Sequence, residues 1–293
     1  MSHSHSFWRK SYSLSRSVQG RLNDIGLLCA THAARTPDGQ LTEEAAALLD
    51  ATARNLRLVQ CLFYADVCYR KPASKSEGPQ GKLATASVRL LLSFDRSARV
   101  APGLLRLRDR GLLTDVEYET LINVQLPPSR WYLIVLEWVL ARIHTAGQRG
   151  TLTGGDGFEQ LALSKCCDLR ASCMSIPDEL AARMPLAYVH FTHCLVDILL
   201  LIAPFGLYST LGLLAIPMTA VISLFYRGLL ELSKSFLDPF GNRRVSVSGL
   251  SADISIDCLI GESNAGSLIW PQAAKNLPFD TSTAVERTAQ RSA

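Results

Sequence analysis

The chain has 293 residues and a formal net charge of +4, from 30 basic and 26 acidic side chains. That balance, and the lack of any basic run with interleaved aromatics, sets nucleic acid aside as a partner. An apolar fraction of 48% with mean hydropathy +0.14 is high for a wholly water-soluble chain and low for a fully membrane-embedded one, so a few membrane helices on a larger water-facing part are expected.

The N-terminal twenty residues are basic and Ser-rich, with no apolar core for a secretory signal. No acidic residue precedes Asp24, a weak transit-peptide feature, and His3 and His5 read as incidental. From Phe7 to Ala34, Leu14, Val18, Leu22, Ile25, Leu28 and Cys29 trace one helix face. Thr36-Pro37-Asp38-Gly39 marks a turn. Thr42 then caps a helix that opens with Glu43 and Glu44 and runs towards Tyr69. Lys71–Lys82 is a polar loop, followed by helical segments over Leu83–Arg96 and Gly103–Arg110. Thr114 and Glu117 form a capping box, with Leu113 and Tyr118 placed as its hydrophobic staple. That helix ends before Pro127-Pro128, and Ser129 caps the next, Trp131–Ile143. Its 13 residues, interrupted by Glu137 and Arg142, are too few to cross a bilayer, which makes it a core or interfacial helix. A Gly-rich link over Gly147–Gly157 leads to a helix over Phe158–Met174, a break at Ile176-Pro177 and a segment Asp178–Arg183.

Two apolar runs follow, Leu186–Ala203 with 18 residues and Leu207–Leu230 with 24, joined by Pro204-Phe205-Gly206. A helix needs about 20 apolar residues to cross a hydrocarbon core. Residues of about 186–230 therefore read as a transmembrane helical hairpin with Pro-Phe-Gly near its tip. Lys165, Arg170 and Arg183 precede it, Lys234, Arg243 and Arg244 follow it, and Pro204–Thr210 carries no charge. The positive-inside rule puts both ends on the cytoplasmic (or stromal) side and the tip across the membrane. Beyond Leu250 the composition turns polar and small, and Arg243–Ala293 is expected to be extended or disordered. The fold class is all-α: a helical membrane domain over residues 1–240 and a polar tail over 241–293.

Ionisable groups inside the first run are costly at membrane depth. His190 and His193 are three apart and His193 and Asp197 four apart, so all three share a face. This stripe could face a pore or a neighbouring subunit. It could also be a His193–Asp197 hydrogen bond between packed helices, or part of a metal site, and Asp197 could instead pair with Arg227. Elsewhere the residues offer no catalytic site. There is no phosphate loop ending in Gly-Lys-Ser/Thr, no nucleophile elbow and no zinc-protease helix, and Gly154-Gly155-Asp156-Gly157 follows no strand. The eight cysteines form no paired framework; Cys166, Cys167 and Cys173 match no zinc spacing and read as buried free thiols in a reducing compartment. No enzyme activity, cofactor or resident metal is expected.

The hairpin and its flanks resemble the bestrophin family of anion channels, especially its plant and bacterial branch. Met184-Pro185-Leu186-Ala187-Tyr188 is similar to the family's Ile-Pro-Leu-x-Tyr, Pro204-Phe205-Gly206-Leu207 follows, and Leu237-Asp238-Pro239-Phe240-Gly241 is similar to its Asn-Pro-Phe-Gly exit. Phe7-Trp8-Arg9 looks like the end of the family's second membrane helix, and Gly111–Thr114 and Leu126–Pro128 fall at a family helix start and boundary. The resemblance implies a homo-oligomer, a pentamer around one anion pore, in a lipid bilayer. It implies four membrane helices per subunit, of which the hairpin supplies the third and fourth, and chloride or bicarbonate as the permeant ion. Met184 and Pro185 fall at the family's narrow aperture. The location implied is integral and multi-pass, in the thylakoid membrane of a chloroplast or otherwise the plasma membrane. Asn242-Arg243-Arg244-Val245-Ser246 stands where the animal calcium clasp carries acids, so calcium gating is not expected. Asp197 falls where the family is apolar. Only six residues precede Phe7, so the family's first and most of its second membrane helix are expected to be missing, and a non-conducting homologue that co-assembles with full-length subunits is the alternative.

Overall fold

The computed structural model describes residues 2–69, 102–182, 186–240, 254–275 and 277. Among them the regular structure is helical, apart from two isolated bridges, Ala33 with Leu152 and Arg35 with Leu41. The helical expectation for Leu83–Arg96 lies outside the described residues. The chain divides into two compact units, one of Met1–Ser13 with Ile176–Ile254 and one of Leu14–Ser175 with Ser255–Ala293.

Helix α1, Ser2–His32, buries Phe7, Ser11, Ser15, Val18, Leu22, Ile25 and Cys29, a stripe with steps of three and four. Of the face expected over Phe7–Ala34, Val18, Leu22, Ile25 and Cys29 are buried, while Leu14 and Leu28 are half-buried and Ser11 and Ser15 point inward instead. Ser11 Oγ donates to the Phe7 carbonyl at 3.0 Å, so this hydroxyl is satisfied within its own helix.

In the second unit α2, Glu43–Tyr69, is the central helix. Thr42 Oγ1 caps it by accepting from the Ala45 N–H at 3.2 Å. Leu49, Leu56, Leu58, Val59, Leu62 and Phe63 are buried on several of its faces, as befits a helix packed all round. Two short helices, α3 (Pro102–Asp109) and α4 (Asp115–Asn123), pack on each other. Helix α5, Trp131–Gln148, packs along α2 with Trp131, Val135, Leu136, Val139 and Ile143 inward, and extends five residues past the expected end at Ile143.

The capping box of α4 is formed. Glu117 N–H donates to Thr114 Oγ1 at 3.3 Å, and Glu117 Oε2 accepts from the Thr114 N–H at 2.9 Å. Leu113 and Tyr118 are both buried, as a staple requires. Glu117 also takes Arg54 Nη2 on Oε1 at 2.8 Å. Burial pushes the Glu117 pKa up, but hydrogen bonds from Arg54 and Thr114, with the Arg54 charge, outweigh it and hold the carboxyl below the usual carboxylate range. A depressed folded pKa gives stability that is present above the unfolded value and lost as pH falls through the folded one. Thermal stability should therefore drop below about pH 4, near the ordinary glutamate pKa. Glu117→Gln should remove that acid step and cost about 2 kcal/mol at neutral pH, the range for losing hydrogen bonds to a charged group; an unchanged acid profile would refute this role.

Helix α6, Gly155–Ala181, runs through Pro177, where a break was expected. The ring removes one N–H close to the C-terminal end, where a single missing bond does not stop the helix.

The tail differs most from expectation. Residues 241–293 were expected to lack structure, yet Ile256–Lys275 is a helix, called α9 here, docked on α2. (Helices α7, Leu186–Leu211, and α8, Ala215–Phe236, form the hairpin.) Its buried stripe is Leu259, Ser263, Ser267, Trp270 and Ala274, in steps of four, four, three and four. Serine in two of five inward places hides the period from a hydropathy reading. The partners are polar too: Gln60 Nε2 donates to Ser263 Oγ at 2.9 Å, Gln19 Nε2 donates to Glu262 at 3.1 Å, Arg16 pairs with Glu262, and Arg35 Nη2 donates to the Ala274 carbonyl at 2.7 Å.

Candidate functional site

The first unit is built on a helical hairpin. Helix α7, Leu186–Leu211, has 26 residues and α8, Ala215–Phe236, has 22. At 1.5 Å per residue they are about 39 and 33 Å long, each enough for a hydrocarbon core of about 30 Å. The stretch Ala187–Phe236 reaches a mean hydropathy of 2.0, and 6% of its most apolar window is buried. Phe191, Leu201, Phe205, Leu213 and Leu224 all stand more than 60% exposed. A surface so apolar is stable against lipid tails or other protein, not against water.

The tip is not at Pro204-Phe205-Gly206. Those residues lie inside α7, and the chain reverses at a 3₁₀ turn, Gly212–Leu214, which starts nine residues beyond the expected end of the first run. Pro204 removes one hydrogen bond from a long helix, which continues past it. Gly212 sits at φ 54°, the left-handed region that a residue without Cβ enters at no steric cost, and it makes the turn.

Aromatic residues gather at the other end. Phe236 lies 5.7 Å from the His5 ring and 6.2 Å from Trp8, and Trp8 stacks on Tyr12 at 5.7 Å. Lys10 pairs with Glu179 at 2.5 Å within the same unit. Rings with a polar tip beside basic side chains are typical of a membrane–water boundary.

Within the hairpin four hydroxyls are satisfied by their own helices. Thr192, Ser209, Thr210 and Thr219 donate to the carbonyls of Tyr188, Gly206, Leu207 and Ala215 at 2.7–3.1 Å. The ionisable pair in the middle of the hairpin meets across the two helices instead. Asp197 Oδ1 meets Arg227 Nη2 at 3.6 Å, with side chains 62% and 71% exposed. This is the pairing with the second run, rather than one with His193, for which no hydrogen bond is found among the described residues. His190 is exposed and His193 half-buried. Lys234 Nζ donates to Glu231 at 2.7 Å one turn below its own helix end. Met184 and Pro185, expected at the aperture, lie outside the described residues.

Asp238, in the Asp-Pro-Phe-Gly motif, is buried, and both its carboxylate oxygens lack a hydrogen-bond partner among the described residues. The next residue, Pro239, accepts from the Ile254 N–H at 2.6 Å, which ties the two sides of residues 241–253 together. Only the motif could have pointed to Asp238, since an aspartate before proline usually marks an exposed turn.

The described residues of the second unit supply no comparable constellation. Its groove between α2 and α5, about 720 Å³, brings Glu44, Trp138, Arg142 and Arg149 to one surface without a convergent acid, base or nucleophile. Burial pushes the thiols of Cys29, Cys166 and Cys173 up to about 12, which leaves them inert, while Cys167 is exposed. Among the described residues no three His, Cys, Asp or Glu side chains converge on a metal position.

The family model of the bacterial/fungal bestrophin protein matches residues 75–259, more than half of the chain. In three dimensions the chain is similar to a bacterial bestrophin homologue from Klebsiella pneumoniae. One crystal structure of a mutant of that protein gives a TM-score of 0.64 at 15% identity, covering 92% of this chain and 81% of that one. Another gives 0.60 at 15% identity, over 92% and 80% of the two chains. At such identity the likeness shows the shared fold. No protein of curated function matches the chain in sequence. The matched residues include both hairpin helices and the start of α9, and on that evidence the chain belongs to the bacterial/fungal bestrophin family, a family of membrane channel proteins.

Proposed function

We propose that the chain is a subunit of an anion channel that passes chloride or bicarbonate, assembled as a pentamer and not gated by calcium. The observation that carries this reading is the exposed apolar hairpin, Ala187–Phe236, in a chain of the bestrophin family. Met184 and Pro185 enter the hairpin and form the aperture in this reading. A thioether there makes an apolar constriction that an anion crosses partly dehydrated. Asn242–Ser246 offers no carboxylate, so it provides no hard-oxygen cage for calcium. The membrane is a thylakoid or a plasma membrane.

The test is anion flux into liposomes holding the purified protein and a halide-sensitive dye. Wild-type protein should carry chloride down its gradient at a rate that calcium chelation leaves unchanged. Met184→Glu should slow it about tenfold or more, because a fixed negative charge at a low-dielectric constriction repels the permeant anion. Equal rates would remove Met184 from the path. An assembled wild-type protein without flux would overturn the channel reading in favour of a non-conducting homologue.

A further inference from the structure

The geometry points to a hydrated, anion-selective recess along one face of the hairpin, with Arg227 as its innermost anion contact. The inference rests on the membrane reading of α7 and α8 given above, and concerns residues that reading leaves without a role.

Asp197 is the twelfth of the 26 residues of α7 and Arg227 the thirteenth of the 22 of α8, so their ion pair sits near mid-depth. Because the two helices run antiparallel, moving towards the open end lowers the number on α7 as it raises it on α8. Four residues out, His193 stands level with Glu231; seven residues out, about 10 Å, His190 stands level with Lys234. Six ionisable residues thus form a ladder from the middle of the hairpin to its open end. On α7 they share a face by their spacing of three and four.

The other side of α7 differs. At 100° per residue Leu195 and Ile202 lie about 160° and 140° from Asp197, and both are exposed and apolar. Lipid suits that side and does not suit the ladder, where neither member of the mid-depth pair is covered by its own chain. Water reaching in from the open end solvates the ladder at no such cost.

The four formal charges of the ladder cancel, so its preference for anions is assigned to the innermost guanidinium and its N–H donors. At the outer levels Lys234 is held by Glu231 at 2.7 Å. At the inner level one Asp197 oxygen meets one Arg227 nitrogen at 3.6 Å, too long for a hydrogen bond. The guanidinium therefore keeps its fork of N–H donors, the geometry that recognises small anions. The histidines add ring N–H groups on the way in. The ligand class is a small inorganic anion of the halide or bicarbonate kind.

Thiol accessibility tests this without requiring conduction. In the full chain, the exposed thiols Cys167, Cys194 and Cys258 are replaced by serine, and His193→Cys, Leu195→Cys or Ile202→Cys is introduced singly. The proteins are placed in phosphatidylcholine liposomes and treated with an anionic or a cationic methanethiosulfonate, each rate normalised to a free thiol. His193→Cys should react, and the anionic reagent should be favoured about tenfold or more, as expected where fixed charge concentrates a counter-ion. Leu195→Cys and Ile202→Cys should stay unmodified. Arg227→Gln should abolish the preference, and Asp197→Asn, which keeps the arginine, should raise it. An unreactive thiol at position 193, a cationic preference, or a ratio untouched by both Arg227→Gln and Asp197→Asn would overturn the recess. Reactivity with this pattern in a protein that carries no flux would leave the recess standing and remove the channel reading; flux with an unreactive position 193 would do the reverse.

Discussion

Trp270→Ala should destabilise the helical unit around α2 by about 3–5 kcal/mol, the usual range for deleting a large buried aromatic. Trp270 is 7% exposed and lies against α1 at Gly26, where any Cβ would come within 2.3 Å of the indole. The same contact makes Gly26→Ala an overpacking change. The indole is rigid and enclosed, so it cannot swing aside, and the cost should be about 1–3 kcal/mol. For a unit of this size each kcal/mol moves the melting midpoint by about 2–4 °C, so Trp270→Ala should lower it by about 10 °C and Gly26→Ala by a few degrees. Leu268→Ala, on the exposed side of α9, should change it little. Thermal unfolding in detergent, followed by near-UV circular dichroism, separates these outcomes. A Trp270→Ala protein that melts with the wild type would show that α9 does not belong to the core.

Leu195→Arg should impair membrane retention. The side chain lies two residues from Asp197, at nearly the same depth but on the apolar side of α7, and is 51% exposed. An arginine there has no carboxylate opposite it, and insertion scales put its central placement at about 2.5–3.5 kcal/mol. That is of order a hundredfold in the inserted fraction, since each 1.4 kcal/mol is tenfold. Extraction of membranes with alkaline carbonate reads it directly: wild type and Leu195→Phe stay in the pellet, and Leu195→Arg moves to the supernatant. Full retention of the arginine variant would mean that this side of α7 faces water or protein instead of lipid.

Most helices were legible because their inward residues are apolar at steps of three and four. The capping box at Thr114 and Glu117 is local chemistry and could be read without any tertiary knowledge. The hairpin was legible from length alone, but its tip was not. Pro204 and Gly206 carry the strongest local breaking signals, yet an apolar helix surrounded by other apolar surface has little else to bond its backbone and continues through them. Gly212, with no proline beside it, makes the turn because of its backbone freedom. Helix α9 was missed for the opposite reason. Its stripe uses Ser263 and Ser267, whose burial depends on Gln60 and on the close approach of α1 at Asn23 and Gly26. Those partners stand some two hundred residues away in sequence, beyond the reach of any periodicity. At the candidate site the sequence put His190, His193 and Asp197 on one face and left the partner of Asp197 open between His193 and Arg227; the hairpin geometry selects Arg227.

Everything proposed for function requires that the hairpin cross the bilayer with its open end and its tip on opposite sides. In sealed vesicles of uniform orientation, with Cys167, Cys194 and Cys258 replaced by serine, an impermeant maleimide is added to the outside before or after permeabilisation. Ser209→Cys, near the tip, and Ser235→Cys, at the end of α8, are compared. Opposite labelling, one thiol accessible from outside and the other only after permeabilisation, is the expected result. Labelling of both from the same side would contradict a crossing hairpin, and with it the channel.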